Sequence, residues 1–185
     1  GYDSSFIMQF ILEKFVNNPR TRLPTVIAAG AKPLSITFEK IKCIDSFSFI
    51  PMALKHFPKT FELNELKKGF FPHAFNTLEN QTYIGKYPDK KFYGSEFFSN
   101  EDKIKFDIWY SKVENTEFNF KKEIESYCWS DVQLLTKGCL AFRNIILEQE
   151  NVDCFLVGLT CASMCNFIFR KNYMKPNSIA IIPEN

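Results

Sequence analysis

Apolar residues at three- and four-residue steps predict an amphipathic helix over residues 5–16. Asp3, one of three polar residues just before the first apolar position, can cap the first turn of this helix. The run Asn17-Asn18-Pro19 ends the helix, and the next apolar runs are too short for further helices. They predict three strands of an antiparallel meander, at 25–29, 34–38 and 41–44.

Helical periodicity returns in the second half of the chain. Two short helical turns are expected at 51–56 and 61–66. Residues 72–100 place Pro, Gly and Asn between aromatic residues, and this composition predicts a long surface loop. The helical stretches that follow are expected at 101–112, 118–125, 132–147 and 157–170.

Composition bounds the protein class. A chain of 185 residues with 45% hydrophobic content can bury one sizeable core. The net charge of +2 is too small to indicate a general nucleic-acid binder, so any phosphate contact would be local. The 21 Phe residues fit either a phenylalanine-rich core or stacking platforms for unpaired bases, and most must be core. No apolar run spans a membrane and no secretory signal opens the chain, so we expect an intracellular protein.

The six cysteines contain no Cys-x-x-Cys pair, and the chain has two His to complete a zinc site. We therefore expect reduced, buried thiols rather than ligands. Cys161 and Cys165 would share one face of a helix, a spacing that indicates packing more often than metal binding.

The candidate chemistry lies in Tyr127 and Asp131, between the helical stretches at 118–125 and 132–147. Residues four apart share one face if the helix runs through this region. A Tyr-x-x-x-Asp arises by chance in a chain of this kind roughly one time in four. Asp3, at the junction into a helix, could supply a second carboxylate for Mg²⁺ or Mn²⁺. Such a pair would support metal-assisted phosphodiester hydrolysis. Without that pairing, Asp3 is a helix cap and Asp131 a solvated charge.

Several segments in fixed order resemble protein-primed family B DNA polymerases of Maverick/Polinton transposons, organellar plasmids and viruses. Gly1-Tyr2-Asp3-Ser4 looks like the end of that family's second exonuclease motif, and Tyr127 to Asp131 looks like the third. Lys67-Lys68-Gly69-Phe70 is similar to its Lys-x-x-apolar motif. The segments 44–51 and 57–63 resemble the family's linking region, so the resemblance covers nearly the whole chain.

The resemblance implies an α/β fold: a ribonuclease-H-like 3′–5′ exonuclease domain, with a mixed sheet flanked by helices, truncated at its N-terminus. Residues 1–150 would be the partial exonuclease domain, with 72–100 as a loop within it. Residues 151–185 would be a helical segment leading towards the polymerase domain. The family's first motif, an Asp-x-Glu, would precede residue 1, so we expect the fragment alone to be inactive.

The resemblance also implies roles for individual residues. Asp3 and Asp131 would bind the two Mg²⁺ or Mn²⁺ ions, and Tyr127 would orient the attacking water. Lys67 would offset charge developing at the scissile phosphate. The residues that would contact the single-stranded primer 3′ end are Ser46, Phe47 and Phe70.

In the parent polymerase, the further partners would be deoxynucleotides and a terminal protein primer, and the process would be DNA replication. Two alternatives stay open. One is a non-catalytic DNA-binding module or decayed mobile-element remnant, and the other is a different ribonuclease-H-like nuclease such as a resolvase. In a chain so rich in Phe, Phe47 and Phe70 also fit ordinary core positions.

Overall fold

A computed structural model describes residues 2–18, 22–63 and 69–179. Its helices are α1 (Tyr2–Asn17), α2 (Phe57–Thr60), α3 (Asn100–Val113), α4 (Phe120–Glu150), α5 (Cys154–Val157) and α6 (Cys161–Ile168). Its strands are β1 (Thr25–Ala29), β2 (Lys32–Phe38), β3 (Ile41–Ile44), β4 (Ile84–Lys86) and β5 (Glu117–Asn119). The chain divides into two compact units, Gly1–Met52 with Cys139–Asn185 and Ala53–Gly138.

In the first unit, β1, β2 and β3 form the predicted antiparallel meander. Thr25 pairs with Thr37 and Ser35 with Ile44, and a bulge shifts the β1–β2 register between Ile27 and Ala28. Gly30 takes a φ of 59° in the tight turn between β1 and β2, a conformation that suits Gly best. A turn this short can join only two antiparallel strands, so the short turns determine that β1, β2 and β3 pair antiparallel. α1 packs against β2, and Ile11 is its buried residue.

The first unit also holds the second part of α4, α5 and α6. The Phe155 ring meets Phe49 edge-on at 5.1 Å between centroids. Cys154 is fully buried, and Asp153 caps α5 by accepting a hydrogen bond from Phe155 N. Arg143 donates to the same carboxylate, with 2.9 Å between Arg143 Nε and Asp153 Oδ2, which connects α4 to the start of α5.

The second unit is built on aromatic side chains. One cluster has Phe71, Phe118 and Phe120 at its centre. The other has Tyr93, Phe106 and Tyr110. Rings in both clusters meet edge-on or tilted, the geometries that aromatic pairs prefer. This explains much of the high Phe content: the rings supply the apolar burial of a unit whose one described sheet has two short strands, β4 and β5.

The predicted loop at 72–100 consists of short 3-10 turns and β4. Most of its aromatic residues belong to the two clusters rather than to a detached surface excursion, and Tyr93 is 5% exposed. Phe97, which is 86% exposed, is the exception. The Tyr110 hydroxyl donates to Pro88 O at 3.1 Å, which ties this segment to α3. Aromatic side chains between Pro and Gly residues therefore pack here although the backbone stays irregular.

Four helical predictions need revised bounds. The stretches predicted at 118–125 and 132–147 form one continuous helix of 31 residues, α4, except that the first two residues of 118–125 belong to β5. The helix predicted at 157–170 is broken at Gly158 and restarts as α6, because Thr160 and Ser163 form a capping box. A turn follows α2 at Phe61, and the rest of the helical turn predicted at 61–66 lies largely outside the described residues.

Two expectations about the sheet and the thiols are corrected. The described strands pair antiparallel throughout, so the parallel pairing of a mixed sheet is not among them. The six cysteines are free, as expected, but Cys154 alone among them is buried, and Cys128 and Cys165 are exposed. Cys161 and Cys165 do share a face of α6, and burial together with the Cys165 thiol raises the pKa of Cys161.

Candidate active site

Tyr127 and Asp131 lie on consecutive turns of α4, as their spacing predicts. Four residues of helix advance about 6 Å, so α4 fixes the separation of phenol and carboxylate without help from a loop. Asp131 is half-buried and its Oδ1 atom is fully buried. The pair is therefore held by a regular helix in the second unit.

The Tyr127 ring is positioned by aromatic contacts. Its centroid lies 5.4 Å from those of Phe71 and His73, tilted against the first and edge-on to the second. Gly69 lies alongside, since a Cβ there would be 3.7 Å from Tyr127 Cδ2. These contacts fix the ring plane and leave little freedom at χ1. His73 thus packs against a candidate catalytic residue.

Glu123, one turn before Tyr127 on α4, adds a second carboxylate to the same stripe of the helix. It accepts a hydrogen bond from Tyr87 at 3.2 Å, and burial and this carboxylate raise the pKa of Tyr87 to about 12. The four-residue steps from Glu123 to Asp131 could have identified Glu123 from the sequence. Burial raises the pKa of Tyr93 as well.

Phe70 lies in the second aromatic cluster. Its ring is 5.2 Å from Phe106, 5.3 Å from Trp109 and 5.9 Å from Phe98. These contacts occupy ring surface that a stacked base would need, so they favour a core position. The predicted DNA contact of Phe70 stays a prediction.

Ser46 and Phe47 lie together in a 3-10 turn of the first unit. The carboxylate of Asp45 caps this turn by accepting from Phe47 N at 3.0 Å, and it pairs with Lys32 at 3.0 Å. Burial raises the pKa of Asp45, but the hydrogen bonds from Lys32 and from the Phe47 backbone outweigh it and lower the pKa. The Phe47 ring is 56% exposed, with Lys32 Nζ 5.9 Å from its centroid. An exposed ring beside a cation suits contact with an unpaired base and its phosphate.

Asp3 lies in the first turn of α1 and is exposed. It belongs to the first unit, with Ser46 and Phe47, whereas Tyr127, Asp131 and Phe70 belong to the second. Lys67, the predicted phosphate contact, lies outside the described residues.

The donor chemistry of Asp3 and Asp131 fits a hard divalent ion, because Mg²⁺ and Mn²⁺ prefer carboxylate oxygens. Within residues 2–18, 22–63 and 69–179, no group of three or more His, Cys, Asp or Glu side chains is placed to hold a metal.

Two small antiparallel sheets and six helices among the described residues make this a mixed α/β protein. The family model described as "DNA polymerase type B, organellar and viral" matches residues 1–184. The chain belongs to this family of DNA polymerases. No solved structure matches it.

Named relatives agree with the family. The chain is similar to a "Probable DNA polymerase" of Neurospora intermedia, with 31% identity over 74% of this chain and 14% of the relative. A "Probable DNA polymerase" of Podospora anserina is 25% identical over 80% of this chain and 12% of its own length. A "Probable DNA polymerase" of Ascobolus immersus is 31% identical over 79% of this chain and 13% of its own length. The chain thus spans about one seventh of these relatives. In the part that the structure describes, no helix is long and apolar enough to cross a membrane.

Proposed function

We propose that this chain is most of the 3′–5′ proofreading exonuclease region of a family B DNA polymerase, in a ribonuclease-H-like fold. The observation that carries the proposal is the family match over residues 1–184, combined with Tyr127 and Asp131 one turn apart on α4. The parent would be a DNA-directed DNA polymerase that acts in intracellular DNA replication. Its further partners would be deoxynucleotides and a terminal protein primer.

In this proposal, Asp3 and Asp131 hold divalent ions, and the rest of the parent supplies the ligands that complete the site. Bound Mg²⁺ or Mn²⁺ would supply Lewis-acid stabilisation of the charge that develops on the scissile phosphate. Tyr127 would orient the attacking water through its hydroxyl, because its ring is held by Phe71 and His73. Lys67 would place its ammonium near the phosphate.

The unpaired primer end would meet the turn that carries Ser46 and Phe47. The exposed Phe47 ring offers a face for base stacking, and the Lys32 ammonium, which pairs with Asp45, lies 5.9 Å from the ring centroid. The Ser46 hydroxyl would act as a polar donor to the same nucleotide. Phe70 would contribute through the part of its ring that the second aromatic cluster leaves uncovered.

The test is 3′-end trimming of single-stranded DNA in Mn²⁺ by the full-length polymerase that carries this chain. Asp131→Asn is expected to lower the trimming rate by at least about 100-fold, the scale of losing a major electrostatic contact in a transition state. Asp3→Asn is expected to be as severe. Tyr127→Phe keeps the ring packing and removes the hydroxyl, so its smaller loss would measure water positioning alone.

Glu125→Gln is the matched control, because Glu125 is an exposed carboxylate on the same helix. Trimming that survives Asp131→Asn, or that falls equally in Glu125→Gln, would overturn the assignment. A parent that binds single-stranded DNA without trimming it would instead support the alternative of a DNA-holding module, for which Phe47 beside Lys32 is the favouring observation. The 185-residue chain alone is expected to show no trimming.

A further inference from the structure

The last part of the described chain carries a positive charge that the proposed exonuclease residues do not use. Residues 154–183 contain no Asp or Glu, yet they contain Arg170, Lys171 and Lys175. This stretch therefore has a formal charge of +3, whereas the whole chain has +2 and the rest of it sums to −1.

The structure gathers these three cations around one groove of about 890 Å³, within the first unit. The side chain of Phe167, 41% exposed, lies in the same wall. The remaining lining is apolar or neutral and polar, and it includes Asn166 and Asn177. Among the described residues, the lining of the groove therefore combines positive charge, an aromatic face and amide groups, and it includes no acidic side chain.

The backbone at this groove is unusual. A single π-helical turn, Phe169–Tyr173, extends α6 and closes with a hydrogen bond of 3.0 Å from Met174 N to Phe169 O. π-Helical turns are rare and are frequently found at functional sites. Here the turn carries Arg170 and Lys171 into the lining of the groove.

The three cationic side chains differ in the hydrogen bonds and ion pairs that they make within the chain. Asn151 is the residue that follows α4, and its carbonyl oxygen accepts a hydrogen bond of 2.9 Å from Lys171 Nζ. Lys171 therefore already has one hydrogen-bond acceptor within the chain. Asn151 takes a positive φ of 51°, the left-handed conformation that ends helices. Arg170 and Lys175 have no ion pair within the described residues, and both are exposed. Their charges remain available to a ligand.

We propose that this groove, defined by Phe167, Arg170, Lys171 and Lys175, binds the phosphodiester backbone of single-stranded DNA, with a base stacked on Phe167. The charge, the aromatic face and the open extent of the groove are the features of sites that track a single strand. Membership of a DNA polymerase family makes DNA the expected polyanion. The inference goes beyond the exonuclease proposal and does not depend on it.

The test measures fluorescence anisotropy of a labelled oligothymidylate of about 16 nucleotides with the 185-residue chain. EDTA is present throughout, so the result is independent of any metal-dependent hydrolysis. The dissociation constant is measured between about 50 and 200 mM salt for the unmodified chain and for Arg170→Gln/Lys175→Gln. Circular dichroism confirms that each variant is folded.

The double variant should lower the slope of log affinity against log salt by about 1.4, since each phosphate contact on a single strand contributes about 0.7. The same relation predicts an affinity loss of about 25-fold near 0.1 M salt. Phe167→Ala should weaken binding by about fivefold or more and leave the salt slope unchanged, because stacking releases no counterions.

The matched control is Lys103→Gln/Lys121→Gln, which removes two exposed lysines of the second unit. An unchanged slope in Arg170→Gln/Lys175→Gln, or an equal loss in the control, would overturn the proposal. A polyglutamate of equal length is the competing ligand. If the chain bound polyglutamate as tightly as oligothymidylate, and Phe167→Ala weakened both equally, the groove would be a site for an acidic protein segment instead.

Discussion

At the residue scale, Gly138 of α4 packs closely against Phe57 in the second unit. A Cβ built there would overlap Phe57 Cδ2 and lie 2.7 Å from Phe57 Cε2. Phe57 is 2% exposed, so its ring cannot swing into solvent to make room. A Gly inside a helix ordinarily costs up to about 1 kcal/mol relative to Ala, and here the space it leaves is filled by a ring.

We therefore predict that Gly138→Ala destabilises the chain by about 1–3 kcal/mol, the usual cost of overpacking a core. Helix propensity alone would predict that Gly138→Ala stabilises the chain. Urea unfolding followed by circular dichroism measures the change. Lys137→Ala, at the exposed neighbouring position, should stay within about 0.5 kcal/mol of the unmodified chain.

Phe57→Leu in the Gly138→Ala background should recover part of the loss, since the smaller side chain relieves the overlap. A Gly138→Ala chain as stable as the original would mean that Phe57 shifts freely, contrary to its burial.

Single residues were predictable where spacing decides geometry. The four-residue step between Tyr127 and Asp131 places them on one face of α4, because helix periodicity is local. Phe47 and Phe70 could not be separated from the sequence, since exposure depends on contacts distant in the chain. The structure leaves Phe47 exposed and packs Phe70 on three rings.

At the element scale, the junction between α4 and α5 is controlled by one carboxylate. Asp153 caps α5 and accepts from Arg143 of α4. The hydrogen bond from Arg143 lowers the pKa of Asp153 below its ordinary value, with burial opposing this shift. A carboxyl with a lowered folded pKa stabilises the fold above its unfolded pKa, and this contribution is lost as the pH falls through the folded pKa.

We predict that Asp153→Asn, which keeps an oxygen to cap α5 but removes the charge, lowers the free energy of unfolding at neutral pH. The difference from the unmodified chain should vanish in acid, below the folded pKa of Asp153. Urea unfolding across the acid range measures it. Arg143→Gln should cause a similar loss at neutral pH, and combining it with Asp153→Asn should add little. A difference that persisted at low pH would show that the charge is irrelevant.

Elements were predictable where local signals are strong. Breakers and tight turns delimit β1, β2 and β3, and all three strands lie where expected. The continuity of α4 was missed because the apolar periodicity lapses between its two halves, although no breaker interrupts the helix. The break before α6 was missed because the capping box there uses Ser163 in place of the usual Glu or Gln, so Thr160-x-x-Ser163 does not stand out in the sequence.

At the scale of the whole molecule, the six free thiols differ widely in exposure. Cys128 and Cys165 are exposed, Cys154 is fully buried, and Cys43, Cys139 and Cys161 lie between. Burial raises the pKa of Cys139 and Cys154, and a higher pKa leaves less of the reactive thiolate. The reaction rates of the six thiols therefore report on the folding of several parts of the chain in one measurement.

With Ellman's reagent we expect a fast phase from Cys128 and Cys165 in the folded chain and slower phases from the partly exposed thiols. Cys154 should react on unfolding, when all six become available. Cys128→Ser should remove one equivalent from the fast phase. A fast reaction of Cys154 in the native chain would contradict its burial.

The second aromatic cluster has an optical consequence. Trp109 lies 6.0 Å from Tyr87, 5.7 Å from Tyr93 and 6.3 Å from Tyr110, measured between ring centroids. Tyrosines this close pass their excitation energy to an indole. Light absorbed by the phenols should therefore emerge as tryptophan emission while the cluster is intact and as tyrosine emission once it disperses. The ratio of tryptophan to tyrosine emission therefore measures the packing of this cluster without an added fluorophore.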